Sequence, residues 1–171
     1  MNPNPIPEHV SFVPEAAIRD RVAGAFEYHR QRLSTLLPNA ETHHIGSTAV
    51  PGSLTKGDLD IQVRVAIKQF ALADGVLAEH YNRNVTSNHT RTFSSFKEDS
   101  ADPPLGIQLT AVGGPEDYFC RLRDHLTAHP EANERYNALK RRFEGAMMDD
   151  YRAAKSTFMD ALLEQLNVQV A

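Results

Sequence analysis

From residue 58 to residue 65 the side chains alternate between polar and apolar without a break. Asp58, Asp60, Gln62 and Arg64 fall on one side, and Leu59, Ile61, Val63 and Val65 on the other. That period of two predicts a half-buried β-strand with a carboxylate pair on its polar face. Thr42 to Gly46, Arg91 to Lys97 and Leu105 to Val112 read as three further strands. Elsewhere the apolar spacing changes to three and four. Ile18, Val22, Phe26, Leu33 and Leu37 predict a helix opened by Pro14, with Glu15 in its first turn, and stopped by Pro38-Asn39. Phe70, Leu72, Val76 and Leu77 predict a second, over 68–80. Phe119, Leu122 and Leu126 mark a helix begun by Pro115-Glu116-Asp117. Tyr136, Leu139, Phe143 and Met147 mark one begun by Pro130-Glu131, and Tyr151, Ala154, Phe158, Leu162 and Leu166 a last one from about residue 149. Residues 81–90 and 97–104 read as loops, and Gly113-Gly114-Pro115 as a turn.

This order of elements predicts an α+β (mixed α/β) fold: a small mixed β-sheet with flanking helices and a helical C-terminal half. No repeat or linker divides the chain. Residues 1–13 are proline-rich and predict an extended arm, and residues 14–171 a single domain, long enough to bury a core.

Composition narrows the partners. Hydrophobic residues at 41% and charged residues at 23% are ordinary for a globular chain. A formal charge of −4 argues against nucleic acid, which calls for a basic face. The single Cys120 excludes an internal disulfide and fits a reducing compartment. The N-terminus lacks the basic and apolar regions of a signal peptide, and no apolar run approaches the roughly 20 residues that span a bilayer. The expected location is the cytoplasm, with no membrane partner.

The polar face of the 58–65 strand carries the candidate chemistry. Two carboxylates pointing the same way repel each other unless a cation lies between them, and a hard divalent ion, Mg²⁺ or Mn²⁺, answers that need. Read without such an ion, Asp58 and Asp60 are a solvated acidic pair. About ten residues upstream, Gly46-Ser47 forms a small-residue turn whose N–H groups and hydroxyl can approach an anion. A phosphate cradle plus a carboxylate pair is the minimal equipment for metal-assisted phosphoryl or nucleotidyl transfer. Lys56 is a charge partner for phosphate or a solvated loop lysine. His43 and His44, adjacent on a strand, face opposite sides, so at most one of them reaches the site. His125 and His129 share a helix face, but no glutamate accompanies them and Pro130 follows, so they read as structural.

The Gly-Ser turn followed by an acid-x-acid strand resembles the signature of the nucleotidyltransferase superfamily. More narrowly, His44-Ile45-Gly46-Ser47-Thr48-Ala49-Val50-Pro51-Gly52 resembles the hallmark of the GrpB family, whose members are nucleotidyltransferase-like. The resemblance continues through Leu122-Arg123-Asp124-His125-Leu126 to His129-Pro130, then Tyr136 to Lys140, and Tyr151 to Lys155. It spans roughly residues 40–165. It implies a nucleotidyltransferase-like fold and metal-dependent transfer of a nucleotidyl group from a nucleoside triphosphate to an acceptor. Asp58 and Asp60 would be the catalytic metal ligands, and Gly46, Ser47 and Lys56 would contact phosphates. His44, inside the first string, is the histidine of the pair that the resemblance places at the site. Arg123, Lys140 and Lys155 lie within the family-like strings as candidate anion clamps. Each could equally cap a helix or pair with an acid such as Asp124 or Glu144.

One departure matters. Active members of the superfamily usually carry a third carboxylate on a neighbouring strand, where residues 106–112 offer Gln108 and Thr110 instead. Family members often have histidines there. Glu98, Asp99 and Asp102 are the acids of the preceding loop. A second function therefore stays open: a catalytically silent module on the same fold that binds a nucleotide, another phosphorylated small molecule or a protein. A metal-dependent phosphohydrolase built around the histidines is a third.

Overall fold

The alternating stretch becomes an interior strand of a five-stranded sheet. The computed structural model describes residues 8–170, with side chains as far as residue 167, so most of the proline-rich arm lies outside the described residues. In chain order the strands are β1 (Val13–Pro14), β2 (Glu41–Ile45), β3 (Leu54–Thr55), β4 (Leu59–Val65), β5 (Asn82–Arg83), β6 (Phe93–Glu98) and β7 (Leu105–Ala111). The helices are α1 (Arg19–Leu36), α2 (Phe70–His80), α3 (Phe119–Ala128), α4 (Pro130–Arg142) and α5 (Met148–Val170). The main sheet runs β2-β4-β7-β6-β5. β4 and β7 are parallel and the other neighbours antiparallel, so the sheet is mixed as expected. β1 and β3 form a separate two-stranded pair.

Leu59, Ile61, Val63 and Val65 are all buried, packed with Ile107 and Leu109 of β7, Val22 and Leu33 of α1, and Phe70 and Leu77 of α2. Each such side chain contributes about 1.5–3 kcal/mol when fully buried. A one-residue slip of β4 would place Asp60 and Gln62 in that layer, so the register is strongly held and the polar face is committed to the opposite side. There α3, α4 and α5 gather around a second cluster that includes Val50, Leu122, Leu126, Tyr136 and Leu162.

Several boundaries depart from the sequence reading, each because of a distant partner. Pro14 does not open α1. It closes β1, where Val13 and Pro14 pair with Thr55 and Leu54, and Glu15 N–H donates to Ser53 O at 2.8 Å. A 3₁₀ turn over Glu15–Ala17 then leads into α1 at Arg19. α4 ends at Arg142, so Phe143 and Met147 do not extend its stripe. The chain turns through Gly145 and pairs with residues 8–10, with Gly145 N–H donating to Val10 O and Val10 N–H to Ala146 O, both at 2.9 Å. Residues 115–118 form a turn ahead of α3, and the 81–90 loop contains the short strand β5. Among the described residues no helix is long and apolar enough to cross a membrane.

Candidate active site

At the end of β2 the chain turns through Gly46, whose φ of +76° lies in the left-handed region that side chains disfavour. The close approach of Asp60 demands glycine as well: a Cβ on Gly46 would stand 2.7 Å from Asp60 Oδ2. From the other side, a Cβ on Gly106 would stand 2.6 Å from Asp60 Oδ1. The Asp60 carboxylate is thus held between two bare stretches of backbone.

Residues 47–49 form one 3₁₀ turn, and Thr48 ties it to the acidic strand by donating to Asp58 O at 3.1 Å. His44 Nε2 lies 2.9 Å from the same hydroxyl. Thr48 has a single hydrogen to give and gives it to Asp58 O, so His44 donates and Nε2 carries the proton. His44 stacks on Phe26 of α1 with ring centroids 5.2 Å apart. Burial pulls its pKa down to about 4, and the Arg123 charge acts in the same direction. The expectation that His44 reaches the site is therefore corrected. It pairs across the sheet with Ile61, on the apolar face, and steadies the turn from behind. The His125 and His129 rings lie tilted against each other with centroids 4.3 Å apart, and neither lines the cleft.

The loop after the turn is read by α4. Asn133, Asn137 and Lys140, spaced four and three apart, share one helix face and are all buried. Asn133 accepts from Ser53 Oγ at 2.8 Å. Asn137 accepts from Leu54 N–H at 2.8 Å and donates to Gly52 O at 2.9 Å. Lys140, 1% exposed, donates to Ser47 Oγ at 2.8 Å and to Leu54 O, with its ammonium 3.8 Å from the Tyr136 ring centroid. Burial, and after it the charge of Lys155, brings the Lys140 pKa down to about 7.

Ser47, Tyr136 and Lys140 border a cleft of about 480 Å³. Gly46, Ser47, Lys56, Asp58, Asp60, Arg123, Lys140 and Lys155 all line it, so the structure brings these candidate residues into one space and leaves His44 outside it. Lys56 pairs with Asp58 at 2.9 Å. Arg123 reaches back to His44 O at 2.8 Å and pairs with Asp124, so its guanidinium is partly committed. Lys155 is exposed and makes no hydrogen bond or ion pair among the described residues. Burial raises the Asp60 pKa, with Asp58 acting in the same direction and the charges of Lys155 and Lys56 opposing. The other end of the cleft is apolar, walled by Leu122, Leu126, Met159 and Leu163.

On the neighbouring strand, Gly106 pairs with Asp60 and Gln108 lines the cleft, so no carboxylate occupies either place. Thr110 is buried and accepts from Gln62 Nε2 at 2.9 Å. The loop acids are engaged elsewhere: Glu98 with Asn82, Asp99 with Lys97, and Asp102 with Arg21. Among the described residues no group of three or more His, Cys, Asp or Glu is placed to hold a metal ion. Mg²⁺ is commonly bound by one or two carboxylates, with water and substrate phosphate completing its shell. Asp58 and Asp60 fit one such ion and fall short of two.

Sequence reading missed several supporting residues. Asp117 accepts from Arg64 Nε at 2.7 Å, Arg64 Nη2 at 2.8 Å and Gln62 Nε2 at 3.0 Å, anchoring the entry to α3 on the polar face of β4. Gly106 was legible only as part of a strand. Asn133 and Asn137 did carry a signal: asparagine is a poor choice for a helix interior unless its amide has a partner.

The comparisons agree with this architecture. A sequence profile described as GrpB protein matches residues 16–165. A UPF0157 protein of Vibrio cholerae is 35% identical over 134 residues, covering 78% of this chain and 71% of its own. One from Deinococcus radiodurans is 31% identical over 150 residues, covering 85% and 77%. The crystal structure of GrpB from Enterococcus faecalis overlays with a TM-score of 0.62 at 18% identity, covering 86% of this chain and 91% of that one, so the two share a fold. A mixed sheet with a Gly-Ser turn facing an acid-x-acid strand, matched over most of its length by that profile, places the chain in the GrpB protein family.

Proposed function

We propose that the cleft binds a nucleoside triphosphate as its complex with one divalent cation and transfers the nucleotidyl group to an acceptor. The observation that carries this reading is the confinement of the Asp60 carboxylate between Gly46 and Gly106, beside Asp58 and facing the cleft that Lys56, Arg123 and Lys155 line. A carboxylate kept partly out of water and next to a second one is a costly arrangement unless a cation joins them. Asp58 and Asp60 would hold Mg²⁺ or Mn²⁺, which would neutralise phosphate charge. The chain's own groups do the rest. Backbone at Gly46 and Ser47 approaches the phosphates closely. Lys155 supplies uncommitted charge, and Lys56 and Arg123 add charge that their acids already share. The apolar wall leaves room for a base or an acceptor without aiming charge at it.

Binding is tested by thermal denaturation with nucleoside triphosphates, with and without Mg²⁺. A ligand at a hundred times its Kd adds about 2.7 kcal/mol of stability, a readily measured shift. The expected result is a Mg²⁺-dependent shift that disappears in Asp58→Asn/Asp60→Asn, together with pyrophosphate release. A second reading, a silent binding module for a nucleotide or another phosphorylated molecule, is favoured by Gly106 and Gln108 standing where the third carboxylate would be. It predicts the same shift with no pyrophosphate under any metal, and the two readings part on that measurement.

A further inference from the structure

We propose that Ser47 and Lys140 form a nucleophile–base pair, and that Ser47 Oγ carries the nucleotidyl group covalently between donor and acceptor. The inference rests on the nucleotidyl-transfer reading and adds a step to it. In one-step transfer, a carboxylate facing the ion takes the proton of the attacking hydroxyl. Here the candidate places hold Gly106 and Gln108, and neither side chain can take a proton. A different pair stands a few residues away: a serine hydroxyl lining the cleft, with a lysine amine 2.8 Å from its oxygen.

The geometry suits that task. Lys140 is almost fully buried, and its position is fixed by Leu54 O and the Tyr136 ring. Gly46 turns the chain so that Ser47 opens a one-turn 3₁₀ segment bordering the same cleft as Asp60. A serine hydroxyl is a weak nucleophile until a base accepts its proton, and a desolvated lysine is one of the groups that serve. Lys155 on α5 is the charge that acts on Lys140, the Tyr136 ring on its own helix lies against its ammonium, and Tyr151 on α5 and Asp60 on β4 act in turn on Tyr136. Burial and Lys155 both favour the neutral amine, and the contact then reverses so that Ser47 donates to Nζ.

The step balances. Ser47 Oγ forms a bond to the α-phosphorus of a nucleoside triphosphate. The bond from that phosphorus to the bridging oxygen breaks, pyrophosphate leaves, and the hydroxyl proton passes to Lys140 Nζ. An acceptor hydroxyl then attacks the same phosphorus, the bond from Ser47 Oγ to that phosphorus breaks, Lys140 Nζ returns its proton to Oγ, and the acceptor's proton is released to solvent. No oxidant or reductant takes part.

A fluorophosphonate probe tests the pair without requiring a nucleotide, since the same Oγ–P bond forms while fluoride leaves. The expected result is a single adduct mapped by mass spectrometry to Ser47, absent from Ser47→Ala and formed at least tenfold more slowly in Lys140→Met. Should Lys140→Met fail to fold, the pH profile of wild-type labelling decides: the rate should climb between about pH 6 and 8 and then level. Folded wild type that takes no label on Ser47, equal labelling in folded Lys140→Met, or a rate that climbs only above pH 9 would overturn the proposal. A companion single-turnover experiment with Mg²⁺ and an α-labelled triphosphate should leave the label on Ser47. Nucleotides that stabilise the protein while Ser47 stays inert to both reagents sink the pair alone. A reactive Ser47 in a protein that binds no nucleotide sinks the transfer reading and spares the pair.

Discussion

A Cβ on Gly106 would stand 2.6 Å from Oδ1 of Asp60, its register partner across the parallel β4–β7 pairing. Nothing else about Gly106 demands glycine, since its φ lies outside the left-handed region. Gly106→Ala should therefore move Asp60 more than it disturbs the sheet. The atom in the way is the end of a side chain, which can rotate, and alanine is no worse than glycine within a strand. The expected outcome is a stability change within about 1 kcal/mol and a loss of Mg²⁺-nucleotide binding of tenfold or more. Parallel urea titrations and nucleotide titrations would separate the two effects. Binding equal to wild type would show that the confinement of Asp60 has no functional weight.

Asp60→Asn should raise stability at neutral pH while removing the cation-dependent nucleotide shift. Burial, the largest influence on Asp60, lifts its pKa above the ordinary value of 3.8. A carboxyl whose native pKa is raised stabilises the fold when protonated and loses that contribution as pH rises through the unfolded and then the native pKa. Asparagine keeps the shape and removes the charge. The variant's advantage should thus be present at pH 7 and vanish below about pH 4, where aspartate is protonated in both states. Melting curves at pH 7 and pH 3.5 measure it, and a variant less stable at pH 7 would mean that Lys155 and Lys56 outweigh burial.

The local elements were legible because their causes are local. The alternation from Asp58 to Val65 fixed which face each residue takes, and that face holds the carboxylates. What escaped has its cause far along the chain. Nothing in the local sequence of α4 shows what Asn133 and Asn137 bind, and Lys140, legible as a candidate anion clamp, is committed to Ser47 and Leu54; these partners lie 80 or more residues away in sequence. Asp117 looks like a first-turn acid favouring a helix dipole, and instead it receives Arg64, 53 residues upstream. Pro14 carries a genuine helix-start signal that the pairing of β1 with β3 overrides. For the histidines, alternation placed His43 and His44 on opposite faces, and only the packing of Phe26 revealed which face was apolar.

His44 should make the fold sensitive to mild acid. Its pKa is held down to about 4, against an ordinary value of 6.5. The unfolded chain therefore takes up a proton near pH 6.5 that the native state refuses, and stability falls as pH drops from about 6.5 toward 4. The effect is of order 1–2 kcal/mol by pH 5, since each unit of difference corresponds to 1.36 kcal/mol. His29, also held low by burial, acts in the same direction. Urea denaturation of wild type and His44→Gln at pH 7 and pH 5 isolates the contribution, because glutamine can still donate to Thr48 but does not titrate. The variant should lose less on acidification, and an equal loss would assign the acid sensitivity to other groups.

Asn137 should bear most of the load that α4 places on the loop leading to Asp58. Its amide satisfies both Leu54 N–H and Gly52 O, and replacing it with alanine leaves both main-chain groups without that partner. A buried donor stranded in this way costs about 1–3 kcal/mol. Asn137→Ala is therefore expected to lower stability by about 2 kcal/mol. Asn137→Asp sharpens the assignment: a carboxylate can still accept from Leu54 N–H but cannot donate to Gly52 O, and it adds a buried charge. Aspartate should be at least as harmful as alanine at pH 7 and recover part of its stability as the pH is lowered and the carboxyl regains a proton to give. An aspartate variant as stable as wild type at pH 7 would mean that Gly52 O finds water, leaving Leu54 N–H as the contact through which α4 holds the loop.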